Sequence, residues 1–159
     1  METQSRKEKI KAAVKAAFPH TIPVLTGYLF MGMAFGMLLQ SKGYCALWAF
    51  AMALLIYAGS GQFVAVGLMA AGFNPLTALV MTLAVNGRHL FYGISMLERF
   101  NKFGRGKWYM IFSLTDETFA LLVSAKPPPH VPKKHFELAI AIMDQMYWVI
   151  GCTVGGLLG

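Results

Sequence analysis

The sequence predicts an all-α integral membrane protein, a polytopic helical bundle with broken or re-entrant helices at two places. Of its 159 residues, 57% are hydrophobic and 13% are charged, and its mean hydropathy is +0.54. A soluble domain has about a quarter of its residues charged. The second observation is a series of apolar runs close to the roughly 20 residues of a membrane-spanning helix. The third is that glycines and polar residues interrupt two of these runs, around Gly59–Gln62 and Asn86–His89.

The charge distribution also favours a membrane. The formal net charge is +7, and most basic residues lie in the amino-terminal segment and in two loops, where they suit anionic lipid headgroups. They flank apolar runs and do not cover a folded polar face, so we expect no nucleic-acid binding. Cys45 and Cys152 have no CxxC partner and no histidine at ligand spacing, which predicts small packed residues. We therefore expect neither a metal site nor a cofactor.

The chain divides into two parts. Residues 1–19 form a basic amphipathic segment that we expect on the membrane surface, and the positive-inside rule places this amino terminus in the cytoplasm. Residues 20–159 form one transmembrane helical domain, and Pro19 and Pro23 mark the start of its first span. The predicted spans are residues 21–40, 44–71, 75–97, 108–125 and 136–159.

The second predicted span, residues 44–71, is too long for one simple helix. Gly59 and Gly61 loosen the backbone, which predicts two half-helices. The N–H groups at the start of the second half would form a positive dipole end suited to a carboxylate. The segment either crosses the membrane or is re-entrant, and we favour the re-entrant form because half-helices of about 14 residues are too short to cross.

The third predicted span contains the most unusual polar residues. An arginine near the bilayer centre costs about 2.5 to 3.5 kcal/mol, so Arg88 and His89 require a partner, a water-filled cavity or a ligand. Gly87 and Gly93 bracket them, which predicts a broken helix at a binding site.

The last two spans also carry acidic residues. Asp116 and Glu117 lie at the middle of the span 108–125, and neighbours on a helix point about 100° apart, so at most one faces a given cavity. Asp144 lies in the final span, where we rank it below Asp116. Glycines recur there every four residues, at Gly151, Gly155 and Gly159, which predicts a closely packed helical neighbour.

Three motifs together resemble one family. The segments Tyr57–Phe63, Val85–Gly93 and Leu114–Ala120 resemble, in that order, the AzlC family of branched-chain amino acid permeases. Gly27–Gly36 and Trp148–Gly159 are also similar to that family, whose members are longer at the carboxyl end, so this chain is expected to be shortened there. The resemblance implies a multi-pass bacterial inner-membrane exporter, the large subunit that works with a small AzlD-type membrane subunit.

The zwitterionic substrate that the resemblance implies needs donors for its carboxylate, an acceptor for its ammonium and an apolar slot. The candidate substrate-binding residues are Ser60, Gly61, Gln62, Asn86, Arg88 and Asp116, with Asp116 for the ammonium or a coupling proton. The candidate proton-coupling residues are His89, Asp116 and Glu117. The candidate slot residues are Phe63, Met81, Phe91 and Met96.

Structural alternatives remain for each of these residues. Arg88 can pair with Asp116 or Glu117 without touching substrate, His89 can be a satisfied structural histidine, and the Met and Phe residues can be ordinary packing. For the whole chain, the alternative is a scaffold or channel subunit that assembles through glycine-rich helix faces, including a homo-oligomer. The sequence contains no HExxH, GxSxG or Walker motif, so we expect no enzyme.

Overall fold

The computed structural model describes residues 6–72 and 74–159, and within these ranges all regular secondary structure is helical, as the sequence predicts. A short 3₁₀ turn, Gly104–Gly106, precedes the sixth helix. The helices are α1 (Arg6–Ser41), α2 (Ala46–Leu55), α3 (Ser60–Ala70), α4 (Pro75–Asn86), α5 (Arg88–Asn101), α6 (Lys107–Phe112), α7 (Asp116–Ser124) and α8 (Lys133–Leu158). In the described residues, α1 and α8 are the two helices long and apolar enough to cross a membrane.

Helices α1 and α8 pack against each other through glycine. A Cβ atom on Gly32 would lie 2.8 Å from the backbone nitrogen of Cys152, and one on Gly151 would lie 2.8 Å from the carbonyl oxygen of Tyr28. Gly36 and Gly155 leave even less room. Small residues let helix backbones approach this closely and gain dispersion contacts along the interface. The glycine face predicted on the last span therefore has α1 as its neighbour.

Helix α1 extends further toward the amino terminus than the first predicted span. It is continuous through Pro19 and Pro23, so the boundary that we predicted at residue 20 lies inside it. Ala13 and Ala17 are buried in the same apolar cluster as Phe136 of α8. Packing against α8 thus maintains the helix although each internal proline removes a backbone hydrogen bond.

The interruption predicted in the second span lies between Leu55 and Ser60, where α2 ends and α3 begins. Gly59 has a φ of +44°, a value that a residue without Cβ adopts easily. Tyr57 is in the same left-handed region, with a φ of 45°, which strains a residue with a large side chain. The strained residue, Tyr57, lines the cavity described below.

The interruption predicted in the third span is milder. Gly87 lies between α4 and α5 and keeps helical angles, with φ −57° and ψ −29°. The N–H of Leu90 bonds the carbonyl of Gly87 at 3.1 Å, so this turn is tightened to the i, i+3 pattern. The interruption at Asn86–His89 is thus one tightened turn with helical angles at Gly87.

The fourth predicted span is two helices, a break that the sequence analysis missed. Helix α6 ends at Phe112, and α7 begins at Asp116. Thr115 is the amino-terminal cap of α7, and its hydroxyl oxygen accepts the Thr118 N–H at 3.2 Å. Capping by a side-chain oxygen satisfies an N–H group that a helix start leaves free.

Helix α8 holds the ends of the short helices with polar side chains. Gln145 donates to the carbonyl of Leu54 in α2 at 3.1 Å and accepts a bond from the Tyr109 hydroxyl in α6 at 2.7 Å. The indole of Trp148 donates to Gln62 of α3 at 2.8 Å. These bonds satisfy polar groups that helix breaks expose in an apolar environment.

An arginine ties α5 to both α7 and α8. The Arg99 guanidinium donates to the buried Glu137 carboxylate, with Nε 3.0 Å from Oε1, and to the Leu122 carbonyl at 2.7 Å. Lys133 lies 3.8 Å from the same carboxylate oxygen. A buried charge that is paired in this way no longer carries its full desolvation cost.

Candidate functional site

A cavity of about 620 Å³ lies where α3, α5 and α7 begin, beside the middle of α1. Its size is in the range of small-molecule sites, roughly 300 to 1,000 Å³. The polar side chains that line it are Tyr28, Ser60, Arg88, His89, Thr115, Asp116 and Glu117. Polar side chains from distant parts of the sequence therefore meet where three short helices begin.

The remaining wall of the cavity is mainly apolar. Val24 and Met31 come from α1, Phe63 from α3, Tyr57 from the break before α3, and Trp148 from α8. Trp148 packs edge-on against Tyr28, with ring centroids 5.3 Å apart. A site with a few convergent polar groups on an apolar wall is typical of pockets for small organic ligands.

Arg88 and Asp116 form an ion pair at the cavity. The Arg88 Nη2 atom lies 2.8 Å from Asp116 Oδ2, and 48% and 33% of the two side chains are exposed. The same nitrogen lies 3.5 Å from the Ser60 hydroxyl. Both charges are therefore neutralised while the guanidinium and the carboxylate stay accessible from the cavity.

Glu117 also lines the cavity, so the expectation that at most one of the two adjacent acids would face it is wrong; both lie in the first turn of α7, at the edge of the cavity. The turn of about 100° between them still gives the two carboxylates separate partners. The Tyr28 hydroxyl donates to Glu117 Oε2 at 2.7 Å. Asp116 and Glu117 both lie in the first turn of α7, where the positive end of the helix dipole favours acidic residues.

His89 lines the cavity, and its ring is oriented by the last residue of α4 and by a neighbour in α5. Its Nδ1 atom lies 3.1 Å from the carbonyl oxygen of Asn86. The ring contacts Tyr92 edge-on at 5.9 Å, and Tyr92 stacks on Phe119 of α7 at 4.5 Å. These contacts fix the histidine between α5 and α7.

Three of the candidate substrate-binding residues do not line the cavity. Gln62 is fully buried, and its side-chain oxygen accepts bonds from Trp148 and from the Ala58 N–H. A Cβ atom on Gly61 would meet the Asn86 amide at 2.6 Å, so these two residues pack against each other. Gln62, Gly61 and Asn86 support the break between α2 and α3 from behind the cavity.

Of the four candidate slot residues, Phe63 alone lines this cavity. Phe91 and Met81 are exposed, at 73% and 42%, and Met96 is buried in a cluster with Phe100 and Met110. These residues are apolar, but their spacing in the sequence did not determine which way each side chain points where the helices are interrupted.

The sequence analysis did not single out Tyr28 or Thr115. Each of them places a hydroxyl group inside an apolar segment, and this is the sequence feature that could have identified them as site residues. In the described residues, no group of three or more His, Cys, Asp or Glu side chains converges as metal ligands would.

Comparison with known proteins identifies the family. The AzlC protein family model matches residues 23–159. The chain belongs to the AzlC family. It is 42% identical over 155 residues to the branched-chain amino acid transport protein AzlC of Bacillus subtilis, an alignment that covers 98% of this chain and 61% of that protein.

Other AzlC relatives are named as membrane proteins. The chain is 46% identical over 150 residues to an uncharacterized membrane protein of Helicobacter pylori, covering 92% of this chain and 64% of the relative. It is 30% identical over 145 residues to the inner membrane protein YgaZ of Escherichia coli, covering 87% and 58%. The chain thus spans about three fifths of the length of these relatives. No solved structure matches it.

Proposed function

We propose that the chain forms the amino-acid site of a secondary transporter for branched-chain or other apolar amino acids in the bacterial inner membrane. The observation that carries this proposal is the accessible Arg88–Asp116 ion pair in a cavity whose other walls are largely apolar. Membership of the AzlC family and the name of the Bacillus subtilis relative, a branched-chain amino acid transport protein, support the same substrate class.

A zwitterion fits this ion pair by exchange. Its carboxylate takes the place of Asp116 on the Arg88 guanidinium, with the Ser60 hydroxyl 3.5 Å from that guanidinium as a second donor. Its ammonium takes the place of Arg88 at Asp116. One ion pair is replaced by two and the net charge of the site does not change, so the ligand enters without leaving a buried charge unpaired.

The apolar wall accounts for the preferred side chain. Val24, Met31 and Phe63 offer dispersion contacts to a branched aliphatic group. Burial of each methylene contributes roughly 0.8 kcal/mol, so valine and leucine gain over glycine and alanine. A charged side chain would be desolvated there without a partner.

Direction and partners are part of the proposal. We propose export, with a small AzlD-type subunit as partner, a multi-pass arrangement and a cytoplasmic amino terminus. The basic residues before α1 enters its apolar part support that orientation. His89, Asp116 and Glu117 all line the cavity and are the groups through which a coupling proton is exchanged.

The alternative of a scaffold or channel subunit depended on free glycine-rich helix faces. Gly32, Gly36, Gly151 and Gly155 contact the facing helix within the chain. These glycines are thus used in intramolecular packing, and the transporter remains the function that the geometry favours.

Counterflow in proteoliposomes tests the proposal. The full-length protein, with and without its small partner, is loaded with unlabelled valine, and we expect faster uptake of labelled valine. Arg88→Ala and Asp116→Asn should weaken valine binding by about 10- to 100-fold, since a hydrogen bond to a charged group contributes roughly 1.5 to 3 kcal/mol. The exposed loop variant Arg105→Ala is the matched control and should bind as the unmodified protein does.

The proposal fails if preloaded valine does not accelerate uptake and Arg88→Ala binds valine normally. Unfolding temperatures should be near those of the unmodified protein for both cavity variants, because exposed ion pairs contribute at most about 1 kcal/mol to stability. A loss of binding can then be assigned to the site.

A further inference from the structure

A line of hydroxyl groups connects two carboxyl groups in the described part of the chain. The Glu117 carboxylate lies 2.7 Å from the Tyr28 hydroxyl, which lies 2.7 Å from the Thr115 hydroxyl. Thr115 Oγ1 is 3.1 Å from Thr118 Oγ1, and Thr118 Oγ1 is 2.9 Å from Asp144 Oδ2. Each step is within hydrogen-bonding distance. The line joins α7 to α1 and then, through the cap of α7, to α8.

The two ends of this line are in different surroundings. Glu117 is an exposed side chain on the wall of the cavity. Asp144 is fully buried in the middle of α8 and is not among the cavity residues. The hydroxyls of Thr115 and Thr118 between them are also buried. A proton that enters at Glu117 therefore has a continuous path to a carboxyl group that the cavity does not reach.

The surroundings of Asp144 differ from those of the paired carboxylates. Asp116 faces Arg88, and Glu137 faces Arg99 and Lys133. Asp144 accepts one hydrogen bond, from Thr118, and its Oδ1 atom has no hydrogen-bond partner in the described residues.

The ionisable side chains Tyr57, Tyr109 and Glu117 interact electrostatically with Asp144, and all three are acids. A buried carboxylate that lacks a cation carries a large desolvation cost, which the neutral acid avoids. Asp144 is thus suited to hold a proton in a way that Asp116 and Glu137 are not.

We propose that Asp144 is a reversible proton site, loaded from the cavity through the hydroxyl line. This inference rests on the proposed function for its role, because it makes Asp144 the store of the coupling proton. Glu117 passes its proton to Tyr28 Oη while the Tyr28 proton moves to Thr115 Oγ1. The Thr115 proton moves to Thr118 Oγ1, and the Thr118 proton moves to Asp144 Oδ2. Each hydroxyl gains one O–H bond and loses one, so the net result is an ionised Glu117 and a neutral Asp144.

Infrared spectroscopy of the full chain at a series of pH values tests the site without requiring transport. We expect a carbonyl band of a protonated carboxyl group that changes with pH and is lost in Asp144→Asn. Thr118→Val should shift this band and its titration, and Thr118→Ser, which keeps a hydroxyl, should restore both. Thr118 does not line the cavity, so these variants leave the proposed substrate contacts in place.

Thr21→Val is the matched control. Thr21 is also fully buried, and its hydroxyl also bonds a side chain of α8, the Tyr147 hydroxyl at 3.0 Å. It is not part of the line, so its removal should leave the band and its titration unchanged. Size-exclusion profiles identify any variant that has not folded.

A pH-dependent carboxyl band that persists in Asp144→Asn, or a wild-type Asp144 that never changes its protonation state, overturns the proposal. Transport assays in proteoliposomes distinguish a failure of the proposed proton site from a failure of the proposed transport function. If Asp144 stores the coupling proton, the ratio of valine accumulation driven by a pH gradient to valine counterflow falls in Asp144→Asn and in Thr118→Val. Absence of any wild-type counterflow would count against the transporter, whereas the infrared result judges the proton site independently.

Discussion

The α1–α8 pair consists of two long, continuous helices, whereas α2–α7 are short helices separated by breaks. Helices α1 and α8 have 36 and 26 residues and meet backbone to backbone through glycine. Helices α2–α7 have between 6 and 14 residues. An unbroken helix satisfies its own backbone, whereas each break leaves N–H and C=O groups that need side chains. The long pair therefore provides support, and the short helices provide most of the polar groups of the cavity, with Tyr28 coming from α1.

The largest expected effect comes from a side chain placed in the long pair. In Gly36→Leu, the new Cβ would lie 2.7 Å from the carbonyl carbon of Gly155 and closer still to other backbone atoms of α8. Overpacking costs about 1 to 3 kcal/mol where side chains can move aside, and backbone cannot, so we expect a loss of more than about 3 kcal/mol. The unfolding temperature in detergent measures it.

Gly67→Ala is the control for that substitution. Among the described residues, a Cβ atom on Gly67, in α3, would have no heavy atom within 4 Å outside its own helix backbone. We expect an unfolding temperature equal to or above that of the unmodified protein, because alanine is the better helix former by roughly 1 kcal/mol. If Gly36→Leu unfolds at the same temperature as Gly67→Ala, glycine contact is not what holds the long pair together.

An intermediate effect is expected where the two regions are tied by charge. Glu137→Gln removes the carboxylate from the guanidinium of Arg99, whose side chain is 25% exposed. Breaking a fully buried pair costs about 3 to 5 kcal/mol, and the partial exposure of Arg99 reduces our expectation to about 2 kcal/mol. Chemical unfolding measures the change, with Glu98→Gln, an exposed acid on α5, as the control. Equal stability of the two variants would contradict this account of Arg99.

The smallest effects should distinguish residues within one break. Ser113 is fully buried, and its hydroxyl has no hydrogen-bond partner in the described residues, so Ser113→Ala removes an unpaired polar group and should leave stability unchanged or raise it by about 1 kcal/mol. Thr115→Val removes the cap of α7 and should cost about 1 kcal/mol. Thermal unfolding of both variants tests this order. A larger loss of stability in Ser113→Ala than in Thr115→Val would show that the Thr115 cap is not what supports the break.

The sequence predicted the helix interruptions at Gly59 and Gly87 but missed the one before Asp116, because their local causes differ. Gly59 and Gly61 are a direct signal, since glycine weakens a helix and permits a positive φ. The break before Asp116 contains no glycine or proline. Its signal is Thr115 followed by two acidic residues, a helix-start pattern that is easily overlooked inside an apolar run. At Pro19 and Pro23 the error was the reverse, because packing of α1 on α8 outweighs two helix breakers.

The same difference decides which site residues could be predicted. Opposite charges in apolar segments have few other partners, so the sequence suggested a pair of Arg88 with Asp116 or Glu117 as a structural alternative, and Arg88 pairs with Asp116. Gln62 and Asn86 do not line the cavity: the Gln62 side chain bonds Trp148, and Asn86 packs against Gly61. These contacts join residues that are distant in the sequence, which a linear pattern does not contain.

The arginines at the two ends of α5 have a mechanical consequence. Arg88 holds the start of α5 to Asp116 at the start of α7, and Arg99 holds its end to the Leu122 carbonyl near the end of α7. A ligand that competes for Arg88 would release the start of α5 from α7, while the end of α5 stays bonded to the Leu122 carbonyl.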